Sequence, residues 1–216
     1  METSNDFIYT QVGKFVIDEP EFRPEAISHS LSQMPRWTGH TDRNVTCAEH
    51  ACFVAGIMAV SGQGNPLEGL LADAPDAYMG HLARPWRKKF PDYVAAWTKL
   101  DRAIRAKWNL PLDKTADCTR ADQLALLVEA YLCFPDHGFD IPDVLGLRAE
   151  AISLVKSKWR LHGITQQFPW QFWDHLWMKA YHEYGPQIVA ATSSNPEVAI
   201  AQAPLVTESK GTLLRL

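Results

Sequence analysis

Apolar residues recur with helical spacing over most of this chain, and the first twenty positions are the exception. There Phe7-Ile-Tyr-Thr and Val12-Gly-Lys-Phe-Val-Ile alternate weakly, which predicts a short extended element or hairpin. Pro24 stands near the first position of a short helix through Pro24-Glu-Ala-Ile-Ser-His-Ser-Leu. Thr46-Cys-Ala-Glu49 has the form of a capping box and predicts a helix running from Thr46 to about Val60. That helix is apolar almost all round (Ala51, Cys52, Phe53, Val54, Ala55, Ile57, Met58), so it should lie buried at the centre. Leu67 to Ala74 predicts another apolar helix, ended or kinked by Pro75. An amphipathic helix follows over Asp92–Trp108, and Thr119-Arg-Ala-Asp122 opens one through Leu124, Leu126, Leu127 and Tyr131 to about Cys133.

Two further helices are expected near 141–160 and 168–184. In the second, Phe168, Phe172, Trp173, Leu176 and Trp177 share a face and Trp170 lies off it. So much aromatic surface must be buried against the chain's own core, a second subunit or another protein. The helix at 141–160 is the expected partner through Ile141, Val144, Leu145, Ile152 and Val155. After Gly185 the period is lost, and 186–216 reads as an extended or poorly ordered tail that serves self-association or partner binding. The expected division is a core over 1–135, a helical extension packed on it over 136–185, and the tail over 186–216.

The 216 residues suit one main domain, and 46% hydrophobic with 21% charged residues suits an ordinary soluble core. The net charge of −4 argues against an extensive nucleic-acid surface, so phosphate recognition must come from a local cluster such as Arg84-Pro-Trp-Arg-Lys-Lys89. The acidic, polar start lacks the pattern of a signal peptide, and no apolar run reaches a membrane span. Cys47, Cys52, Cys118 and Cys133 form no CxxC pair and read as reduced thiols, which together predicts a cytoplasmic protein.

A few polar residues stand out against apolar surroundings. His50 sits in line with Val54 and Ile57, as a core histidine or a ligand would. Asp73 has no polar neighbour in Gly69-Leu-Leu-Ala-Asp-Ala-Pro; buried without a partner it would be costly, so it needs a cation, a metal, a donor cluster or solvent. Asp76 is three residues on and shares its face if helical geometry survives Pro75. Asp122 falls three positions after Thr119 and could simply complete a cap. Together, one His and two Asp from three apolar helices suit a hard or borderline divalent cation.

Five stretches occur in the order of one known family: Ser28-His-Ser-Leu-Ser, Arg36-Trp-Thr-Gly-His-Thr, Ala48-Glu-His-Ala, Leu70-Leu-Ala-Asp-Ala-Pro-Asp-Ala-Tyr-Met-Gly-His-Leu-Ala-Arg-Pro, and Arg120-Ala-Asp-Gln. Over roughly residues 8–135 the chain resembles the HD-domain hydrolases that include bacterial 5′-deoxynucleotidases and phage deoxynucleoside triphosphohydrolases. The resemblance implies an all-α HD-domain helical bundle with a divalent metal (manganese, cobalt, zinc or magnesium) held by His50, Asp73 and Asp122. The fourth family ligand, a histidine, falls on Ala72, so the metal should bind weakly or not at all; His81 and His40 are nearby candidates to replace it. The resemblance makes Asp76 the catalytic acid, where the family usually has Glu, and puts His81 where it often has Asp. It assigns Arg36 and Trp37 to the sugar and phosphate of a deoxynucleotide, and position suggests Arg84, Arg87 and Lys88 for the phosphates. The implied chemistry is hydrolysis by a metal-activated water, in an enzyme that commonly assembles as a homo-oligomer. Two other readings stay open: a degenerate HD domain that binds a nucleotide or protein without turnover, and an interaction protein working through the tryptophan-rich 159–184 segment and the tail.

Overall fold

In the computed structural model the weak alternation at the N-terminus folds as a hairpin, β1 (Phe7–Thr10) against β2 (Gly13–Val16), with Phe7 opposite Val16 and Ile8 opposite Phe15. The structure describes residues 6–134, 140–156 and 167–193, without the side chains of 186–193. Phe15 turns inward, stacks on Tyr78 with ring centres 4.1 Å apart, and so clamps the hairpin to the helices. Among the described residues everything else of regular form is helical, as the sequence predicts: α1 (Pro24–Gln33), a 3-10 turn (Trp37–Gly39), α2 (Cys47–Ser61), α3 (Pro66–Leu71), α4 (Asp76–Met79), α5 (Arg84–Arg87), α6 (Pro91–Lys107), α7 (Ala116–Cys133), α8 (Arg148–Lys156) and α9 (Trp170–Ser193).

The helix α2 is the axis of the fold. Thr46 caps it, its hydroxyl accepting from the Glu49 amide at 3.1 Å, and every residue from Cys47 to Met58 is buried. α3 crosses it closely because Gly69 has no side chain: a Cβ there would sit 2.9 Å from Met58 Sδ and 3.1 Å from the Ala55 nitrogen. One apolar cluster joins α1, α2, α3 and α9 through Ile27, Leu31, Ala51, Leu70 and Trp177; the other joins α2 to α7 and α8 through Val54, Met58, Leu124, Val128 and Ala151.

Four boundaries differ from the sequence reading, the first being α3, which stops at Leu71 and gives way to turns before Pro75. α7 starts at Ala116 and is capped by Thr115, whose hydroxyl accepts from the Cys118 amide at 3.2 Å, so Thr119 and Asp122 lie inside the helix. Buried Glu68 decides this, because it accepts from both the amide (2.8 Å) and the hydroxyl (2.6 Å) of Thr115. Arg105 holds Glu68 at 3.0 Å and Asp101 at 2.9 Å, tying α3, α6 and the start of α7 together. α8 begins only at Arg148, after turns that leave Val144 and Leu145 exposed. The last helix passes through Gly185 and Pro186 to Ser193, where the sequence predicts a tail; residues 194–216 lie outside the described residues.

The aromatic face of α9 is buried in the chain's own core, as the hydrophobic pattern favours, but against a different partner. Trp173, Leu176, Trp177 and Ala180 pack on α1, α2 and α3, while α8 packs on α7. Among the described residues no helix is long and apolar enough to cross a membrane. All four cysteines are free and buried.

Trp177 is fully buried and stacks on Tyr181 with ring centres 5.8 Å apart. Trp177→Ala should therefore cost about 3–5 kcal/mol in denaturant unfolding. Val144→Ala, at a position 71% exposed, should stay within about 0.5 kcal/mol of the parent.

Candidate functional site

Four buried or nearly buried acids and bases meet where α2, the α3–α4 turn and α7 come together. The polar centre is His50, one turn into α2 and only 2% exposed. Its Nδ1 faces Glu129 Oε1 at 2.6 Å and its Nε2 faces Asp122 Oδ1 at 2.8 Å, with Asp73 Oδ2 at 4.0 Å. Asp122 and Glu129 are seven residues apart on α7, two turns along the same face, so one helix grips the imidazole from both sides.

Arg36 arrives from the segment between α1 and α2. That segment is pinned to the start of α2 by a bridge between Pro35 and Thr46, with the Arg36 amide donating to Val45 at 2.7 Å and the Cys47 amide to Met34 at 3.0 Å. The guanidinium donates to Glu129 at 2.9 Å and to Asp73 at 3.3 Å. Trp37 donates its indole N–H to Glu129 at 3.3 Å and meets Phe134 edge-on. Trp37 and Thr38 both hold left-handed backbone, φ 55° and 56°, a strained conformation for such side chains that tends to mark functional positions. Lys114 completes the group, its ammonium donating to Asp122 Oδ2 at 2.9 Å.

Charge balance explains how this cluster survives burial. Burial and the Arg36 charge would lower the His50 pKa, but Glu129 and Asp122 together raise it to about 9, so the ring is an imidazolium donating to both carboxylates. Burial would raise the Glu129 carboxyl, yet Arg36 and His50 hold it down at about 2. Asp73 and Asp122 are likewise pushed up by burial and pulled below the usual carboxylate range, Asp73 by His50 and Arg36, Asp122 by His50 and Lys114. Three carboxylates thus face three cations.

The structure brings together His50, Asp73, Asp122, Arg36 and Trp37 from the sequence reading. It adds Glu129 and Lys114, which sequence reasoning missed. Glu129 had a legible signal, an acid two turns after Asp122 amid the apolar residues of α7. Lys114 had none, because its place follows from the loop that Glu68 fixes. Asp122 is no capping residue, contrary to one expectation, since the cap is Thr115.

Asp76 lies apart, completely buried at the start of α4. Its carboxylate accepts from Arg87 at 3.0 Å on both oxygens and from the indole N–H of Trp97, and faces His81 Nδ1 at 2.7 Å. Gly80 makes the last contact possible: with φ 81° and ψ 149° it holds a backbone almost reserved for glycine, which turns His81 back onto Asp76. The Asp76 oxygens are thus satisfied from within, and its reach toward a ligand passes through His81. Of the expected phosphate-binding cations, Arg87 is spent on Asp76, Arg84 is exposed and 3.9 Å from Asp122, and Lys88 is exposed. Ala72 packs in the apolar cluster of α2 and α7, and His40 is exposed, so neither stands as a donor beside His50.

The described residues also contain a Cys/Asp/His group that could bind a metal: Cys47, Asp76 and His81, whose donor atoms all lie within 4.8 Å of one another. No protein-family model matches the chain. It is 29% identical over 147 residues to the uncharacterized protein YfdR of Escherichia coli (strain K12), covering 66% of this chain and 81% of that protein. That name states no activity, so the functional reading rests on the residues themselves.

The two arms of the cluster give its pH dependence in the absence of metal. His50, raised from 6.5, contributes stability that is fully present below pH 6.5 and lost as pH rises through about 9. Glu129, lowered from 4.5, contributes stability present above pH 4.5 and lost as pH falls through about 2. Melting curves should therefore show a plateau between those limits, and Glu129→Gln should lower it and blunt both flanks. An unchanged profile in that variant would mean that His50 is not held as described.

Proposed function

We propose that this protein is an HD-type phosphohydrolase that binds deoxynucleotides at the His50–Asp73–Asp122 cluster and hydrolyses their phosphoester or phosphoanhydride bonds. The observation that carries this reading is the arrangement of His50: donors from α2, the α3–α4 turn and α7 converge, and a buried carboxylate stands behind the imidazole. Metal-ligating histidines characteristically have such a carboxylate on the ring nitrogen away from the metal. One nitrogen and two carboxylates suit manganese, cobalt or zinc, and three protein ligands with an open position are a known catalytic set. A divalent ion held there supplies a polarised phosphoryl oxygen and a water of lowered pKa.

The chain's own residues have separate tasks in this proposal. Glu129 fixes the His50 ring and Arg36 together, so that His50 Nε2 points to the two aspartates. Arg84 at the rim and Lys114 beside Asp122 attract and orient the phosphate, while Arg87 holds Asp76. Trp37 offers a face to the sugar, and its N–H on Glu129 sets the ring angle. Asp76 holds His81, which carries the proton to or from the reacting oxygen at its other ring nitrogen.

The alternative, a domain that binds nucleotides or a protein without turnover, is favoured by Lys114. Its ammonium neutralises Asp122 in the place where the resemblance implies metal charge, and Ala72 lies in apolar packing.

Phosphate release from deoxynucleoside mono- and triphosphates, with manganese, cobalt, zinc or magnesium added, separates the two readings. Hydrolysis is expected with one of these metals and should be lost in Asp122→Asn. Ala72→His should tighten metal binding by about 10-fold or more, the scale of ligand-environment effects. Nucleotide binding by calorimetry without phosphate release selects the binding module; neither binding nor release overturns the proposal.

A further inference from the structure

We infer that Cys47, Asp76 and His81 form a second site, one that takes a thiophilic divalent cation of the zinc class. It rests on its own donor set and not on the phosphohydrolase reading. The three donors come from separate places: Cys47 from the first turn of α2, Asp76 from the start of α4, and His81 from the residue after the Gly80 turn. Their ligand atoms already lie within 4.8 Å of one another. Around a tetrahedral zinc, with bonds of about 2.0–2.3 Å, donors stand roughly 3–4 Å apart, so closure needs only small side-chain adjustments.

The place of Cys47 at a helix start suits a thiolate once a cation is bound. Cys47 is the first residue of a 15-residue helix, where the helix dipole favours negative charge. Its backbone is fixed by the bond from its amide to Met34. Burial keeps the thiol protonated in the free protein despite the nearby Arg36 charge. Binding therefore exchanges a proton for the cation: the S–H bond breaks, a cation–sulfur bond forms, and the proton leaves to solvent. At Asp76 the cation replaces the hydrogen bond to His81, while Arg87 and Trp97 keep their contacts and orient the carboxylate from behind. His81 is partly exposed and gives the cation its way in. Sulfur, nitrogen and oxygen together select zinc or cobalt over magnesium or calcium. Loading also takes Asp76 and His81 out of their hydrogen-bonded pair, so this site and any proton transfer by His81 exclude each other.

Cobalt(II) titration of the full chain provides the test, because a thiolate ligand gives a near-ultraviolet sulfur-to-cobalt charge-transfer band that the His50–Asp73–Asp122 set cannot give. The expected result is a band saturating at one equivalent, released by excess zinc. It should be absent in Cys47→Ser, about 10-fold or more weaker in affinity in His81→Gln, and retained in Asp122→Asn and Cys52→Ser. His81→Gln changes a partly exposed side chain and keeps the test valid if Cys47→Ser fails to fold. No band in the folded chain, or a band that survives in Cys47→Ser or keeps its affinity in His81→Gln, overturns the inference. A band lost in Asp122→Asn that keeps the parent's helical content and melting transition would place the thiolate at the first cluster and overturn it too.

Discussion

The imidazole of His50 is the constraint on which the polar interior depends. Two carboxylates of one helix, Glu129 and Asp122, hold its two nitrogens at 2.6 and 2.8 Å, and neither acid could stay ionised at that depth alone. Arg36 and Lys114 complete the neutralisation from segments before α2 and before α7. Removing any one member leaves the buried charges out of balance.

The buried network of Glu68, Arg105 and Asp101 plays the supporting part. By binding both the amide and the hydroxyl of Thr115, Glu68 sets where α7 begins, and hence which residues of α7 face His50. It also fixes the loop that delivers Lys114 to Asp122. The Gly69 crossing brings α3 near enough to α2 for Asp73 to approach the histidine. Packing and electrostatics here point to one arrangement, as expected of a chain with a single native state.

Asp76 illustrates how role and residue separate. The resemblance assigns it the catalytic proton, yet its oxygens are enclosed by Arg87, Trp97 and His81. Its direct effect is on His81 and on Cys47, with which it shares a cluster of three different donor types. Two polar groups therefore lie side by side in the fold, one built on His50 and one on Asp76, with Asp73 and Asp76 in adjacent turns of the same short segment.

The sequence by itself determined the elements and their faces. The capping box at Thr46, the all-round apolar run of α2 and the aromatic face of α9 follow from local spacing and backbone chemistry, which act over one or two turns, whereas α3 stops at Leu71, ahead of Pro75. It also marked Asp73 as an acid that needs a partner, because nothing polar stands near it in sequence, while His50 and Asp122 joined it through the family resemblance. The partners themselves were decided by the tertiary structure. Glu129 and Asp122 share a histidine 79 and 72 residues away; α9 packs on α1 to α3 while α8 packs on α7; and Thr115 displaces Thr119 as the cap through the distant Glu68. Such pairings depend on which surfaces fill the core together and on which buried charges find an opposite, and neither is encoded within the reach of a local pattern.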